Sequence, residues 1–199
     1  KVIKNPIQFN TIHLDDLINT SMTEYVNTVS ADGKKLFLTR RVESDQSRDQ
    51  EDIFIYDIEK DYIAPSPFNT SQNEGAITVS SDGTMCVYTA CDRENTIGGC
   101  DLYIRKYSEE FGWSAEYNLG PNVNSSFWES QSCFSSDGNY LYFISNRTGG
   151  YGKEDIWRSK ITSDGFLPAQ NLGGQINTQN SELSPFLHAD NITLYFASN

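Results

Sequence analysis

The sequence predicts an all-β fold assembled from a repeated antiparallel sheet, and three observations carry that prediction. The first is a four-fold repeat of fixed offsets. Asn19-Thr20, Asn69-Thr70, Asn124-Ser125 and Asn177-Thr178 each open five residues before a glutamate: Glu24, Glu74, Glu129 and Glu182. Eight residues beyond each glutamate stands an aspartate: Asp32, Asp82, Asp137 and Asp190. The second is that Asp32-Gly33, Asp82-Gly83 and Asp137-Gly138 each separate two short apolar runs, the fourth copy reading Asp190-Asn191. Asp and Gly tolerate the positive φ of primed turns, so this pair between apolar runs signals a hairpin. The third is the lack of any long apolar stretch at helical spacing. The repeat is about 50 to 55 residues long. Four short antiparallel strands in a unit of that size make a blade, and the fold class is a β-propeller of four-stranded antiparallel blades.

The elements follow in order within each copy, and the third copy shows them best. Gln131–Ser135 reads as a first strand, Ser136–Asn139 as a tight turn and Tyr140–Ser145 as a second strand. A glycine-rich loop, Asn146–Gly152, leads to a third strand opening at Asp155-Ile156-Trp157-Arg158, and Phe166–Leu172 reads as a fourth. The other second strands are Leu36–Thr39, Cys86–Thr89 and Leu194–Ala197, and the other third strands open at Asp52 and Asp101. Residues 1–19 align with the end of a repeat. Full repeats run over 20–69, 70–124 and 125–177, and 178–199 form a partial one. The expectation is about 3.5 to 4 blades, as a piece of a larger propeller. The alternative is a four-bladed ring whose last blade residues 1–19 complete.

Composition narrows the function classes. A net charge of −12 disfavours a phosphate backbone as partner, so nucleic acid is excluded. No segment approaches the ~20 apolar residues of a membrane span. Of the four cysteines, Cys91 ends a second strand and Cys100 precedes a third, which predicts a disulfide and an oxidising compartment. Cys86 takes the place of Leu36, Leu141 and Leu194 and reads as core, Cys133 is undecided, and a Cys86–Cys133 bridge is the alternative.

The recurring polar residues are the candidates for function. First strands line the centre of a propeller, so Glu24, Glu74, Glu129 and Glu182 would form an acidic ring able to hold a cation or a basic peptide. The bland alternative is that each accepts hydrogen bonds from backbone amides or from an arginine of the neighbouring blade. Arg41, Arg93 and Arg147 follow the second strands, and Asp52, Asp101 and Asp155 open the third, which suggests a recurrent Arg–Asp pair across the loop. Asn19, Asn69, Asn124 and Asn177 are expected to tie turns to backbone. The loops carrying Glu43, Asp45, Asp49 and Glu51, and Asp92 and Glu94, are candidate recognition loops. Asp92 and Glu94 lack the spaced oxygens of a dedicated calcium site. With two histidines, His13 and His188, and no nucleophile elbow, zinc spacing or phosphate loop, no catalytic residue, metal or cofactor is predicted.

Written as Glu-x7-Asp-Gly-x2-Leu-Tyr-Phe-x-Ser-x-Arg, then Gly-Gly-x-Gly-x2-Asp-Ile, the third copy resembles the WD-repeat-like propeller of the TolB type. The linking phrases Asn118–Asn124 and Asn171–Asn177 are similar to one branch of it. That branch consists of outer-membrane OmpA-family envelope proteins, some of them in gliding or type IX secretion machinery. The resemblance implies a non-catalytic, periplasmic scaffold associated with the outer membrane. It implies envelope proteins as partners, and contact with peptidoglycan only through a flanking OmpA-like domain. Two places depart from the pattern: the charged stretch Glu43–Glu51 in place of the glycine loop, and Asp190-Asn191. Two other readings compete. One is a glycan-binding or glycan-processing propeller with Trp113, Trp128, Tyr151 and Trp157 as a sugar platform; the other is the gating propeller of a peptidase.

Overall fold

The computed structural model describes residues 13–42 and 50–199, and all of their regular structure is β-strand. The first blade is a sheet in the order β1 (Glu24–Val29), β2 (Lys35–Val42), β3 (Gln50–Asp57), β4 (Tyr62–Pro65). The second holds β5 (Glu74–Val79), β6 (Met85–Cys91), β7 (Cys100–Ser108), β8 (Gly112–Trp113) and β9 (Tyr117–Asn118). The third repeats it with β10 (Glu129–Phe134), β11 (Tyr140–Ser145), β12 (Asp155–Thr162), β13 (Gly165–Phe166) and β14 (Gln170–Asn171). A two-stranded half-blade, β15 (Glu182–Leu187) and β16 (Leu194–Ser198), follows. The predicted propeller of antiparallel four-stranded blades is thus the architecture found. Among the described residues the ring is open: β1 packs on β5, β5 on β10 and β10 on β15, and no strand of the first blade touches the last.

Each hairpin turn forms for the reason its sequence gives. Gly33, Gly83 and Gly138 take φ of 72°, 72° and 70°, and the preceding aspartate accepts the amide two residues on, as Asp137 does from Asn139 at 3.0 Å. A serine two residues before that aspartate donates its hydroxyl to it: Ser30, Ser80 and Ser135 at 2.5, 2.6 and 2.6 Å.

The fourth strand is not continuous. Gly165–Phe166 pairs with Ile161–Thr162 and Gln170–Asn171 with Trp157–Arg158; Leu167 N still donates to Lys160 O at 2.9 Å before the ladder breaks at Pro168. Pro168 has no N–H to give a ladder, and Ala169 donates instead to Asn122 O at 2.8 Å, tying the blade to the linker before it.

Three of the four core clusters lie between blades, and the fourth, Ile18, Leu36 and Leu38, lies on the face of the first blade. Phe37, Ile53 and Phe68 meet Ile77, Cys86 and Tyr88; Val87, Leu102 and Val123 meet Phe134, Leu141 and Phe143; Tyr142, Ile144 and Ile156 meet Leu187. Each such side chain contributes about 1.5–3 kcal/mol on leaving water. Cys91 and Cys100 are disulfide-bonded as directly opposed residues of β6 and β7. The alternative Cys86–Cys133 bridge does not form. Both are free, buried thiols, one in the layer between the first two blades and one in the layer before the half-blade.

Candidate functional site

The four inner strands share a feature the sequence did not announce. Their pairing register breaks between Val26 and Thr28, Gly75 and Thr78, Ser130 and Cys133, and Leu183 and Phe186. In the last three the residue two beyond the glutamate is left-handed: Ala76 at φ 50°, Gln131 at 46°, Ser184 at 51°. A bulge bends the strand and turns its polar backbone and side chains to one side. Here that side is a groove of about 910 Å³ lined by β1, β5, β10 and β15.

The groove wall mixes apolar side chains with hydrogen-bonding groups, and Glu51 and Glu74 are its acidic members. Thr39 Oγ1 donates to Asn27 Oδ1 at 2.8 Å and accepts from Ala76 N at 2.9 Å. Thr89 and Ser130 share a hydroxyl contact at 2.9 Å, and Ser184 N donates to Gln131 Oε1 at 2.7 Å. The first of these bonds lies within the first blade, and the other three join one blade to the next. Ser132 also lines the groove, its buried hydroxyl without a partner among the described residues. At the rim the Tyr25 hydroxyl donates to Glu51 Oε2 at 3.0 Å, and Glu51 N to Asn73 Oδ1 at 2.8 Å. Burial, with the Glu51 charge beside it, pushes the Tyr25 phenol well above its ordinary value.

Of the predicted acidic ring only Glu74 lies against this wall. Glu74, Glu129 and Glu182 are buried, their carboxylates turned onto the start of their own repeat. Glu129 accepts from Ser125 N at 2.8 Å, Ser125 Oγ at 2.6 Å and Ser145 Oγ at 2.6 Å, with Arg147 Nη2 at 3.0 Å. Glu74 binds Thr70 N at 3.0 Å, Thr70 Oγ1 at 2.6 Å and the Arg93 guanidinium. Glu182 binds Thr178 N at 2.9 Å, Thr178 Oγ1 at 2.7 Å and Ser198 Oγ at 3.0 Å. Glu24 binds the Thr20 hydroxyl, with Arg40 Nε at 3.0 Å but off hydrogen-bond alignment. A buried carboxylate is stable only when paired in this way.

The Arg–Asp pairing is overturned by the same geometry. Arg93 and Arg147 serve the glutamate of their own blade, and in the first blade Arg40, inside β2, takes that part instead of the expected Arg41. The aspartates hold loop tips. Asp101 accepts from Ile97 N and Gly98 N at 2.7 and 3.0 Å, and Asp155 from Tyr151 N and Gly152 N at 2.6 and 3.0 Å. Asp52 accepts from Gln50 Nε2 at 2.8 Å. The asparagines pair with third-strand backbone as a strand would: Asn69 with Ile53, Asn124 with Leu102, Asn177 with Ile156, each through both amide atoms. Asn19 donates to Leu14 O at 2.7 Å. Asn118 and Asn171, unremarked in the sequence except as part of a phrase, brace Asp101 and Asp155 at 2.7 Å.

Glu43, Asp45 and Asp49 lie outside the described residues, as does the leading segment 1–12. Asp92 and Glu94 flank the inward Arg93 on the disulfide-closed loop, and no group of three or more metal-ligating side chains occurs among the described residues. His13 and His188 are far apart in role: His13 is in irregular chain, and His188 Nδ1 lies 3.2 Å from Asp190 Oδ2 in a turn. The four aromatic residues of the sugar platform are not gathered. Trp113 packs against Phe68 and Tyr107, Trp157 is buried between the second and third blades, Trp128 borders the groove and Tyr151 is exposed on a loop.

No protein-family model matches this chain, and no curated protein matches it. Solved structures do. A protein assigned as TolB from Agrobacterium tumefaciens superposes with a TM-score of 0.57 at 18% identity, over 84% of this chain and 51% of that one. A thermostable family-43 glycoside hydrolase superposes with a TM-score of 0.52 at 14% identity, over 82% of this chain and 61% of that one. This chain therefore spans about half the length of the TolB-type structure it matches. At these identities the likeness is one of fold: the chain is similar to β-propeller proteins, a TolB-like one among them.

Proposed function

We propose that this chain is a non-catalytic protein-interaction module of a bacterial cell-envelope assembly, gripping an extended, basic segment of an envelope protein in its central groove. The groove carries the reading. Its wall offers donors and acceptors along four neighbouring strands, which suits main-chain recognition, and Glu51 at its rim gives a basic residue a partner. The net charge of −12 steers a basic partner from a distance. The Cys91–Cys100 disulfide supports an oxidising compartment, here the periplasm. Outer-membrane association, a flanking OmpA-like domain reaching peptidoglycan, and a place in gliding or type IX secretion machinery rest on the linking phrases at 118–124 and 171–177. The variable loop at 92–99 and the charged stretch Glu43–Glu51 are candidate recognition loops by sequence.

The test is site-specific photocrosslinking from Asn27 and Phe186, both lining the groove, in intact envelopes. The expected adducts join these positions to a Lys- or Arg-rich segment of an outer-membrane or periplasmic protein. Glu51→Gln should lower their yield severalfold and weaken its salt dependence. Turnover of a glycan or peptide by the isolated chain, abolished by one carboxylate substitution, would overturn the reading.

A further inference from the structure

The second and third blades each hold their full set of strands, yet the outer part of the boundary between them is packed differently from the boundary before it. Between the first and second blades, Trp113 on β8 lies edge-on to Phe68, their ring centres 5.6 Å apart. Between the second and third, Phe166 takes the place of Trp113 and Val123 that of Phe68, so two smaller side chains fill the same space. Tyr117 faces Ile104 where Ala64 faces Ile55 in the first blade, and Tyr117 is 60% exposed. The result is a cleft of about 490 Å³ between β7 and β9 of the second blade and the turn at 164–166 of the third. Its two walls are tied together: Asn122 Nδ2 donates to Phe166 O at 2.7 Å, and Ala169 N to Asn122 O at 2.8 Å.

The chemistry of the cleft narrows what fits. Tyr117, Ile104 and Phe166 give it aromatic and aliphatic surface. Lys106, two residues beyond Ile104 on the same face of β7, and Asp164 also line it. Among the described residues neither has an ion-pair partner: Asp164 Oδ1 takes only the Ser163 hydroxyl, at 3.3 Å. Asn122 Oδ1 likewise has no donor among the described residues. One cation and one anion balance, so the site selects neither sign of ligand, and the net charge of −12 around it works against a phosphate. What remains is an exposed ring beside one donor and two acceptors, in a cleft within the ~300–1,000 Å³ range of small-molecule sites. A neutral pyranose matches it, with apolar ring faces to lie on an aromatic side chain and edge hydroxyls that both give and take hydrogen bonds.

From the under-filled boundary, the exposed Tyr117 ring and the unpaired Lys106, Asp164 and Asn122 groups together, we infer that this cleft is a binding site for a neutral saccharide. A pyranose ring lies on the face of Tyr117. Its hydroxyls donate to Asp164 and to Asn122 Oδ1 and accept from Lys106 Nζ. The site binds and does no chemistry. It sits on the outer strands of two blades and does not depend on the central groove or on the reading of that groove.

The probes are maltotriose, cellotriose and chitotriose, each titrated into the isotopically labelled full chain while amide shifts are followed. At least one should bind saturably and move the amides of 104–106, 117–122 and 164–166. Tyr117→Ala should weaken that binding roughly tenfold, and Tyr117→Phe should keep it. Because Tyr117 is exposed, neither change disturbs the core. Phe166→Trp supplies the ring that Trp113 supplies one boundary earlier, and it should close the cleft to sugar without lowering the thermal midpoint. No saturable binding of any of the three sugars, or binding unchanged by Tyr117→Ala or by Phe166→Trp, overturns the inference. Shifts confined to β1, β5 and β10 overturn it as well, by placing the sugar in the groove. A Gly-Trp-Gly peptide that moves the cleft amides when no sugar does would overturn it by assigning the cleft to a protein side chain.

Discussion

At the scale of single residues, one carboxylate is solved four ways. Glu129 is sealed and balanced by Arg147, two serine hydroxyls and an amide, whereas Glu182 rests on donors from Thr178 and Ser198 alone among the described residues. Removing one partner of a buried pair strands the other charge, at a cost of about 3–5 kcal/mol. Glu129→Ala should therefore lose that much in denaturant unfolding. Glu182→Ala should lose less, because it strands no cation. The turn aspartates act on pH instead. Hydrogen bonds from Ser30, Ser80 and Ser135 hold Asp32, Asp82 and Asp137 below the usual carboxylate range, and backbone donors at Thr193 and Ile192 do so for Asp190. At Glu182 burial pushes upward, but the bonds from Thr178 and Ser198 outweigh it and the net shift is down. A depressed folded value means stability present above the unfolded value of about 4 and lost as pH falls through the folded one. Thermal midpoints should hold from neutral pH to about 5 and drop below about 4. Asp137→Asn should make the acid-side decline shallower; an unchanged slope would remove the turn from the account.

At the scale of elements, the loop entering each third strand is the most instructive unit. Asp101 and Asp155 fix the loop tip, and the glycine there lets it press on the next blade. A Cβ on Gly98 would lie 1.9 Å from Phe127 O, and one on Gly152 2.1 Å from Asn180 O. The third blade builds this loop without a disulfide: Asn146 occupies the place of Cys91 and accepts from Trp128 N at 3.0 Å. The Cys91–Cys100 bond is thus an addition to a loop that already closes. Its loss should cost about 2–3 kcal/mol on the chain-entropy account while leaving the fold intact. Cys91→Ser/Cys100→Ser should show this as a lower midpoint with an unchanged circular dichroism spectrum, and reductant should shift the midpoint of the parent but not of the variant. Hairpins, third-strand openings and the disulfide were legible in the sequence, because each is a local rule about neighbouring residues. The Arg–Asp pairing was misread because spacing along the chain does not say which face a side chain takes. Arg147 turns back under its blade while Asp155 turns up into the loop. The inner bulges were invisible because Ala76, Gln131 and Ser184 hold positive φ without being glycine.

At the scale of the whole molecule, stability is carried by layers between blades, so it should grade from the centre outward. The second and third blades are covered on both faces: Tyr88, Tyr103, Leu141 and Phe143 are fully buried. The first blade leaves Val26 and Val29 half-exposed on β1, and the half-blade leaves Phe186 and Tyr195 out. The repeat made this layered plan legible, since Ile18, Phe68, Val123 and Ile176 recur six residues before each glutamate; the last three pack between blades, and Ile18 packs on the face of the first. The groove was not legible, because its volume comes from how four strands are set around a common space and from bulges with no sequence mark. In a nearest-neighbour array each unit draws stability from its own sheet and from each interface it makes. Units with one interface therefore open at lower free energy than units with two. Native-state hydrogen exchange in low denaturant should separate the two classes. Amides of β6, β7, β11 and β12 should exchange only through global unfolding, with a steep denaturant dependence. In the 199-residue chain taken alone, those of β15 and β16 should exchange through a smaller opening of shallow dependence, several kcal/mol below the global value. Phe134→Ala, which thins the layer between the second and third blades, should then split the central class into two. A single exchange isotherm for all strands, before and after that substitution, would show instead that the blades unfold as one unit.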